Sequence, residues 1–454
     1  MSSDFDLVVR GGTVVTPTAT AVADVGIAEG RIVAVARALR GSARTEVDAR
    51  GHHVFPGILD AHVHFNEPGR TDWEGLATGS AALAAGGGAW FADMPLNSLP
   101  PVLDAASFAE KKALAEKKSV TDFSLWGGLV PGNLDRLGEL RDAGAIALKA
   151  FMCGSGVDEF PGVTDAATLR AGMKRAAALG MMVAVHAEDE ALAARLTAEE
   201  KARGATDVRS WLSTRPVEVE LKAIRLATEL AGETGCRLHV VHVSSPEGID
   251  VITKARARGV DVTAETCPHY LLLNEDDVIR LGASAKCCPL LRPEALRQEL
   301  WRKMDAGKID TIGSDHSPAP PAMKTSADFF AIWGGISGCQ HGFPLLIGEA
   351  WRLGEPSLAA LAALLAANVA RRFRLPHKGA VAVGNDADLT ILALGGTETL
   401  RNEDLLYRHR QGPYAGRTTQ ARVVDTFVRG RSVTRKPGIA PGAPTGQFVA
   451  PNPS

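Results

Sequence analysis

"FPGILDAHVHFNEPG", Phe55 to Gly69, opens on a Pro-Gly break, runs through apolar residues and closes on two histidines two positions apart, His62 and His64. Residues i and i+2 of a strand face the same way, so both imidazoles project together. Taken alone, H-x-H does not separate a metal site from an incidental pair.

Outward from this stretch the texture differs on the two sides. Residues 5 to about 54 read as short alternating strands with Gly turns, "DLVVRGGTVV" and "ADVGIAEGRIVAVA", and the same texture returns after about 378 in "DADLTILAL" and "ARVVDTFVRGRSV". Residues 1–54 and 378–454 are therefore expected to build one small β-sandwich domain together. Between them, over 55–377, eight apolar runs of strand length follow one another: "GILDAHVHF", "AWFADM", "SLWGGLV", "AIALKAFM", "MMVAVHAE", "RLHVVHVSS", "DVTAETC" and "DTIGSDHS". Segments of helical period separate several of them, including Asp165 to Gly180, Pro216 to Ala231 and Pro246 to Arg258. The economical fold is α/β, a TIM-like (β/α)8 barrel. A doubly wound open sheet is the alternative, but no Gly-rich dinucleotide fingerprint opens any of its units. The last stretch, "KPGIAPGAPTGQFVAPNPS", is expected to be an extended arm or partly disordered.

The chain has 454 residues, 45% of them hydrophobic and 22% charged, with a formal net charge of −2. That balance offers neither a basic footprint for nucleic acid nor an acidic tail, which leaves a small molecule as the expected partner. No cationic segment with an apolar core and cleavage site opens "MSSDFDLVVRGGTVV", and no apolar run reaches membrane-spanning length, so the expected location is cytoplasmic. Six cysteines without a C-x-x-C pair suit reduced thiols rather than a disulfide framework or a structural zinc site.

Barrel enzymes place their sites at the C-terminal ends of the strands. There the sequence holds four more polar groups: Lys149 in "AIALKAFM", His186 in "MMVAVHAE", His242 in "RLHVVHVSS" and Asp315 in "DTIGSDHS". Each interrupts an apolar strand, where an unpaired polar group is costly. Singly, His186 or His242 reads as a core histidine bonded to a carbonyl, and Asp315 as a cap for the next turn. Together with His62 and His64 they point to a metal site. Lys149 is the odd member, because an ammonium has no lone pair for a metal; it needs a carboxylate partner or a chemical modification. Of the other histidines, His239 is three before His242 and should face away from it, packed or turned toward a helix. His316 should face away from Asp315, His269 in "TCPHY" is read as structural or as support behind the ligands, and His52, His53, His377 and His409 lie outside the barrel strands.

"GILDAHVHF", Lys149, His186, His242 and "GSDHSP" resemble the amidohydrolase superfamily over nearly the whole chain, and within it the cyclic amidohydrolases: dihydroorotases, hydantoinases, dihydropyrimidinases and allantoinases. The resemblance implies that Lys149 is carboxylated by carbon dioxide and bridges two divalent metals. It places His62, His64 and Asp315 on the more buried metal and His186 and His242 on the other, with a hydroxide shared between them. Zinc is the first expectation; cobalt, manganese and iron suit the same donors. Asp315 is then the group that takes a proton at attack and hands it to the departing nitrogen.

The substrate follows from departures. Dihydroorotases resemble one another in an arginine two residues after the second histidine, and this chain has Asn66 there, so an uncharged ring is expected. Hydantoinases and dihydropyrimidinases typically carry a tyrosine five residues after the lysine, where this chain has Gly154. "HFNEPGRTDWEG", "DMPLNSLPP", "SSPEG", "WGGISG" and "YRHRQGPYAGR" are similar to allantoinase segments, which implies hydrolysis of allantoin to allantoate. One substrate-holding loop departs, with Cys288 in "KCCPLL" where the family has serine. Asn97 and Ser317 are candidate polar contacts for a ureido group, with a turn residue and a loop brace as their ordinary readings. Trp333 and Gly334, in "WGGISG", suggest close backbone approach to a ligand or a tight loop. Relatives are commonly tetramers, so a homo-oligomer is expected. A dihydropyrimidinase or hydantoinase is the alternative, and a catalytically silent barrel serving as an interaction module is the third reading.

Overall fold

The computed structural model describes residues 4–434 and 444–453. The N-terminal segment forms β1 (Phe5–Val15), β2 (Thr20–Ala28), β3 (Arg31–Ala36), β4 (Ala43–Asp48) and β5 (His53–Pro56). β1 is long enough to pair antiparallel with β2 along one edge and parallel with β4 and then β5 along the other. A register shift between Val9 and Gly12 bends it, and Gly11 there takes φ 65°.

The Pro-Gly break at 56–57 ends that sheet and starts the barrel. Its strands are β6 (Ile58–Val63), β7 (Gly88–Asp93), β8 (Asp122–Leu125), β9 (Gly127–Gly128), β10 (Leu148–Phe151), β11 (Met182–His186), β12 (Arg237–Val240), β13 (Val262–Thr266) and β14 (Thr311–Ile312). β6, β7 and β8 pair in parallel, as do β9 through β14. Trp126 separates β8 from β9 but belongs to the same stave, since its N–H donates to Asp93 while the flanking groups bond toward β10. The circle closes where Val63 bridges His316 and His64 N donates to His316 O at 2.8 Å. Eight parallel staves result, at the eight runs read from the sequence.

Helices return between staves, and the three expected segments are helical at Ala166–Ala178, Val217–Thr234 and Pro246–Ala257. Asp165 caps the first by accepting from Thr168 N, and Ser245 caps the third, which starts on proline. The strands alternate between two apolar environments. Leu59, Ala61, Trp90, Ala92, Trp126, Ala147, Ala184 and Val241 fill the barrel interior with Val369 and Phe373, while Phe91, Phe123, Leu148, Val183 and Val240 pack against the helices.

After the barrel, β15 (Leu389–Thr399), β16 (Thr418–Val428) and β17 (Arg431–Ser432) complete the first sheet, in which β15 pairs antiparallel with β5. Both ends of the chain thus share one eight-stranded sheet around Val9, Val25, Ile27, Ile32, Val54, Ile391 and Phe427. Of the terminal stretch expected to be an arm or disordered, residues 435–443 lie outside the described residues. Beyond them the chain is extended along β8: Phe123 N donates to Gln447 O and Val449 N to Phe123 O, and Phe448 sits between Phe108 and Phe123.

Candidate metal centre

His62 and His64 leave β6 where its register with β7 shifts between Asp60 and Val63. Asp60 fixes that exit: its Oδ1 accepts from His62 N at 3.1 Å and from Ser314 N at 2.9 Å, tying the first stave to the last. Lys149 on β10 and His186 at the end of β11 reach the cavity by simple alternation from the inward Ala147 and Ala184. His242 and Asp315 do not. Val241 already faces inward, so alternation would turn His242 out; its backbone instead takes φ 41°, and Asp315 takes φ 43°. A left-handed conformation costs an L-residue roughly 1–3 kcal/mol, and both sit at the rim where strain of this kind concentrates.

These turns bring the six side chains to one cavity of about 410 Å³. Two groups of ligand atoms form inside it. His62 Nε2 and His64 Nε2 lie 3.2 and 3.4 Å from a single oxygen, Asp315 Oδ1. His186 Nδ1 and His242 Nε2 lie 3.0 Å apart. His62, His242 and Asp315 can also offer one atom each within 4.8 Å of one another, so the two groups are neighbours. Lys149 is fully buried, and its Nζ has no hydrogen-bond partner; His62 Nε2 is also without one, since Asp315 is close but misaligned.

The charges are arranged to suit a cation. Burial lowers Lys149 to about 8 and His64 to about 4, and it holds His242 well below the usual imidazole range. Burial pushes Asp315 upward, but His62, His64 and His242 around it outweigh that and hold the carboxyl well below its ordinary value. Neutral imidazoles at His64 and His242, an ionised Asp315 and an amine whose burial favours its free base are the states that metal ligation and reaction with carbon dioxide require.

Two carboxylates that the sequence reading passed over support the histidines, Glu265 from behind and Glu188 from the cavity wall. Glu265 Oε1 lies 2.7 Å from His62 Nδ1, and Glu188 Oε2 lies 2.9 Å from His186 Nε2. Burial works against Glu265, yet His62 and His239 beside it bring it down to about 2. Each carboxylate takes the ring nitrogen that does not meet the other ligands, Nδ1 of His62 and Nε2 of His186, and so fixes the ring's orientation. Of the two expectations for His239 the packed one holds: it sits inside the barrel against Phe373, with Thr263 Oγ1 at 2.8 Å and Glu265 Oε2 at 3.5 Å, and does not turn toward a helix. His239 does face away from His242, and it is His242 that departs from the strand's alternation.

Asn97, Cys288, Ser317 and Gly334 all line the same cavity, as do Gly154, Trp333 and Arg215. Asn97 takes φ 63°, and its Oδ1 is buried without a partner. Burial pushes the Cys288 thiol up to about 11, so it meets the cavity as a neutral thiol. The glycine requirement in "WGGISG" falls on Gly335, where φ is 132° and a Cβ would stand 2.3 Å from Ser317 O; a Cβ at Gly334 would meet nothing within 4 Å. Asn66 is buried and turned toward Pro318 O rather than the cavity. His316 faces away from Asp315 as expected, accepting from Gly338 N, while His269 is fully buried with neither ring nitrogen bonded. Among the described residues no helix is long and apolar enough to cross a membrane.

Known proteins resemble this chain along nearly its full length. The chain is 50% identical to an allantoinase of Deinococcus radiodurans over 448 residues, covering 98% of this chain and 99% of that one. An allantoinase of Rubrobacter xylanophilus is also 50% identical, over 99% and 98% of the two chains. Among solved structures, an L-hydantoinase (dihydropyrimidinase) from Arthrobacter aurescens superposes with a TM-score of 0.95 at 32% identity, covering 98% of this chain and all of that one. The model of the amidohydrolase family matches residues 53–433, from the strand before the first histidine pair to the last strand of the sheet, and the chain accordingly belongs to the amidohydrolase family.

Proposed function

We propose that the protein is an allantoinase, hydrolysing a cyclic amide bond of allantoin to give allantoate. The observation that carries this reading is identity of 50% with allantoinases over almost the entire length of each chain. The rim constellation supports a hydrolase, because burial favours the neutral imidazoles of His64 and His242 and the surroundings of Asp315 favour its carboxylate, the states in which such side chains bind metal.

Two divalent metals fit the side chains present. His62, His64 and Asp315 would hold one, His186 and His242 the other, and Lys149 as its carbamate would bridge them. An amine with no partner in a buried site supports that modification, which turns a cation into a bidentate anion. When bound, such a pair polarises the amide carbonyl and lowers the pKa of water toward neutrality. The chain's own groups do the rest. Asp315 accepts the proton of the attacking water and returns it to the departing ring nitrogen. Glu265 and Glu188 keep His62 and His186 in the tautomer that presents the cavity-facing nitrogen. Asn97, Ser317, Cys288 and the backbone at Gly334 are the proposed substrate contacts. Zinc is the proposed metal, with cobalt, manganese or iron compatible with the donors. Six free thiols suit a cytoplasmic setting, and a homo-oligomer, a tetramer by resemblance, is proposed for the assembly.

The likeness to the Arthrobacter enzyme favours a second reading, a hydantoinase or dihydropyrimidinase. Gly154 stands against it, since the tyrosine expected there is absent. Metallated protein incubated with allantoin, hydantoin, dihydrouracil and dihydroorotate, with ring opening followed directly, decides: allantoin is expected to be opened fastest. Activity confined to dihydrouracil or hydantoin would replace the first reading with the second.

A further inference from the structure

Two lysines beside the cavity have no carboxylate within ion-pair distance among the described residues, and neither is a candidate metal ligand. Lys286 Nζ donates to Phe329 O at 2.6 Å, Ile332 O at 2.5 Å and Phe330 O at 3.4 Å. It also lies 4.9 Å from the Trp211 ring and 5.1 Å from that of Phe329. An ammonium has three N–H groups, and this one aims all three at carbonyls of a single turn of backbone. Lys324 Nζ, at the end of the turn Pro321–Lys324, donates to Gly335 O at 2.7 Å and Ala283 O at 3.3 Å. The backbone answers in kind: Gly335 N donates to Lys286 O at 2.8 Å and Trp333 N to Met323 O at 3.0 Å.

The segment so held, residues 318–335, has only two short 3-10 turns of regular structure. Its residues Phe330 to Gly335 form one wall of the cavity, and the turn that holds it contributes Lys286, Cys287 and Cys288. A wall without a ladder of its own takes its shape from whatever fixes its carbonyls. Elsewhere the segment is held at its start by Gln411 on Ala319 O at 3.1 Å and Asn66 on Pro318 O at 3.4 Å, and at Phe329 N by Thr206 O at 2.8 Å, while the cavity-facing stretch adds edge-on rings, Trp333 against Trp73 at 5.0 Å and Phe329 against Trp211 at 5.2 Å. Rings pack but do not set the height of a backbone; directed donors do.

We propose that Lys286 and Lys324 are positioning residues that determine specificity, clamping residues 318–335 against the 283–288 turn and thereby setting the shape of the wall the substrate meets. Their ammonium groups bond backbone carbonyls and none of the six candidate metal ligands. The clamp rests on the functional reading only for the identity of the ring that is bound.

Lys286→Met and Lys324→Met keep most of the volume and remove the donors, while Lys286→Arg returns some of them. Amide hydrogen exchange over 329–335 is expected to speed up about 10- to 100-fold in the two Met variants, the range a lost charged hydrogen bond allows, with strands β10 and β11 unchanged. KM for the ring that the wild type opens should rise over the same range, with kcat within about three-fold, metal content unchanged and Lys286→Arg intermediate. Unaltered exchange with unaltered KM overturns the proposal, and so does a fall in kcat or metal content at constant KM. Should Lys286→Met not fold, Lys324→Met, which loses fewer bonds, gives both readouts alone. A wild type that opens hydantoin but not allantoin defeats the functional reading and leaves the clamp to be judged by the same two measurements.

Discussion

Lys149 is the residue with the least ordinary explanation: fully buried, flanked by the Phe151 ring at 5.0 Å, and bonded to nothing. If its role is to become an anion between two metals, shortening it removes a ligand from both. Lys149→Ala is therefore expected to purify without metal and without activity, and short-chain carboxylic acids added with metal should restore part of each, read by metal analysis and ring opening. Full activity without added acid would show that no bridge is needed. Behind the ligands, Glu265→Gln is expected to weaken metal binding about 10- to 100-fold, measured by competition with a chelator. Lys149 was legible because strand parity alone aims it, and His62 and His64 because parity keeps them together, although a register shift between Asp60 and Val63 is what turns the pair inward after Ala61. Glu265 also interrupts an apolar strand, in "DVTAETC", but its meaning depends on His62, 203 residues away. Pairings of that range have no local trace.

Among the elements, the barrel staves were legible because strands covered on both faces read as near-continuous apolar runs. What joins the barrel to the small sheet was not. Lys378, whose side chain is wholly buried, bonds Asp122 at 2.7 Å, Asp386 at 2.9 Å and Asp388 at 2.6 Å, and Arg429 pairs with the other oxygen of Asp122. Asp122 begins β8 of the barrel, whereas Asp388 and Arg429 flank strands β15 and β16 of the sheet, and Asp122 also accepts from Gln447 N of the terminal arm. In sequence these are scattered charges with ordinary surface readings. Removing the lysine leaves like charges buried together, so Lys378→Met is expected to cost about 3–5 kcal/mol in urea unfolding. Asp388→Asn placed in the same chain should recover part of that loss; an additive further loss would mean the cluster is not the joint.

For the whole molecule, acid stability should be limited by imidazoles that the fold keeps dry. His269 is fully buried with neither ring nitrogen bonded, and burial lowers it to about 4 from an ordinary value of 6.5. Above 6.5 it is neutral in both folded and unfolded chains and has no effect on stability. Between 6.5 and 4 the unfolded chain binds a proton that the folded one refuses, so stability falls with pH; below 4 both bind it and this contribution levels off. At 1.36 kcal/mol per pH unit the total is on the order of 3 kcal/mol. Metal-free protein should be used, because metal release adds its own pH dependence. Urea unfolding of wild type and His269→Leu at several values between pH 7 and 4 then isolates the term: packing changes shift the two curves apart by a constant, while the wild type should fall more steeply across this window. Parallel curves would mean that His269 takes its proton inside the folded barrel, and that the acid limit lies with another group.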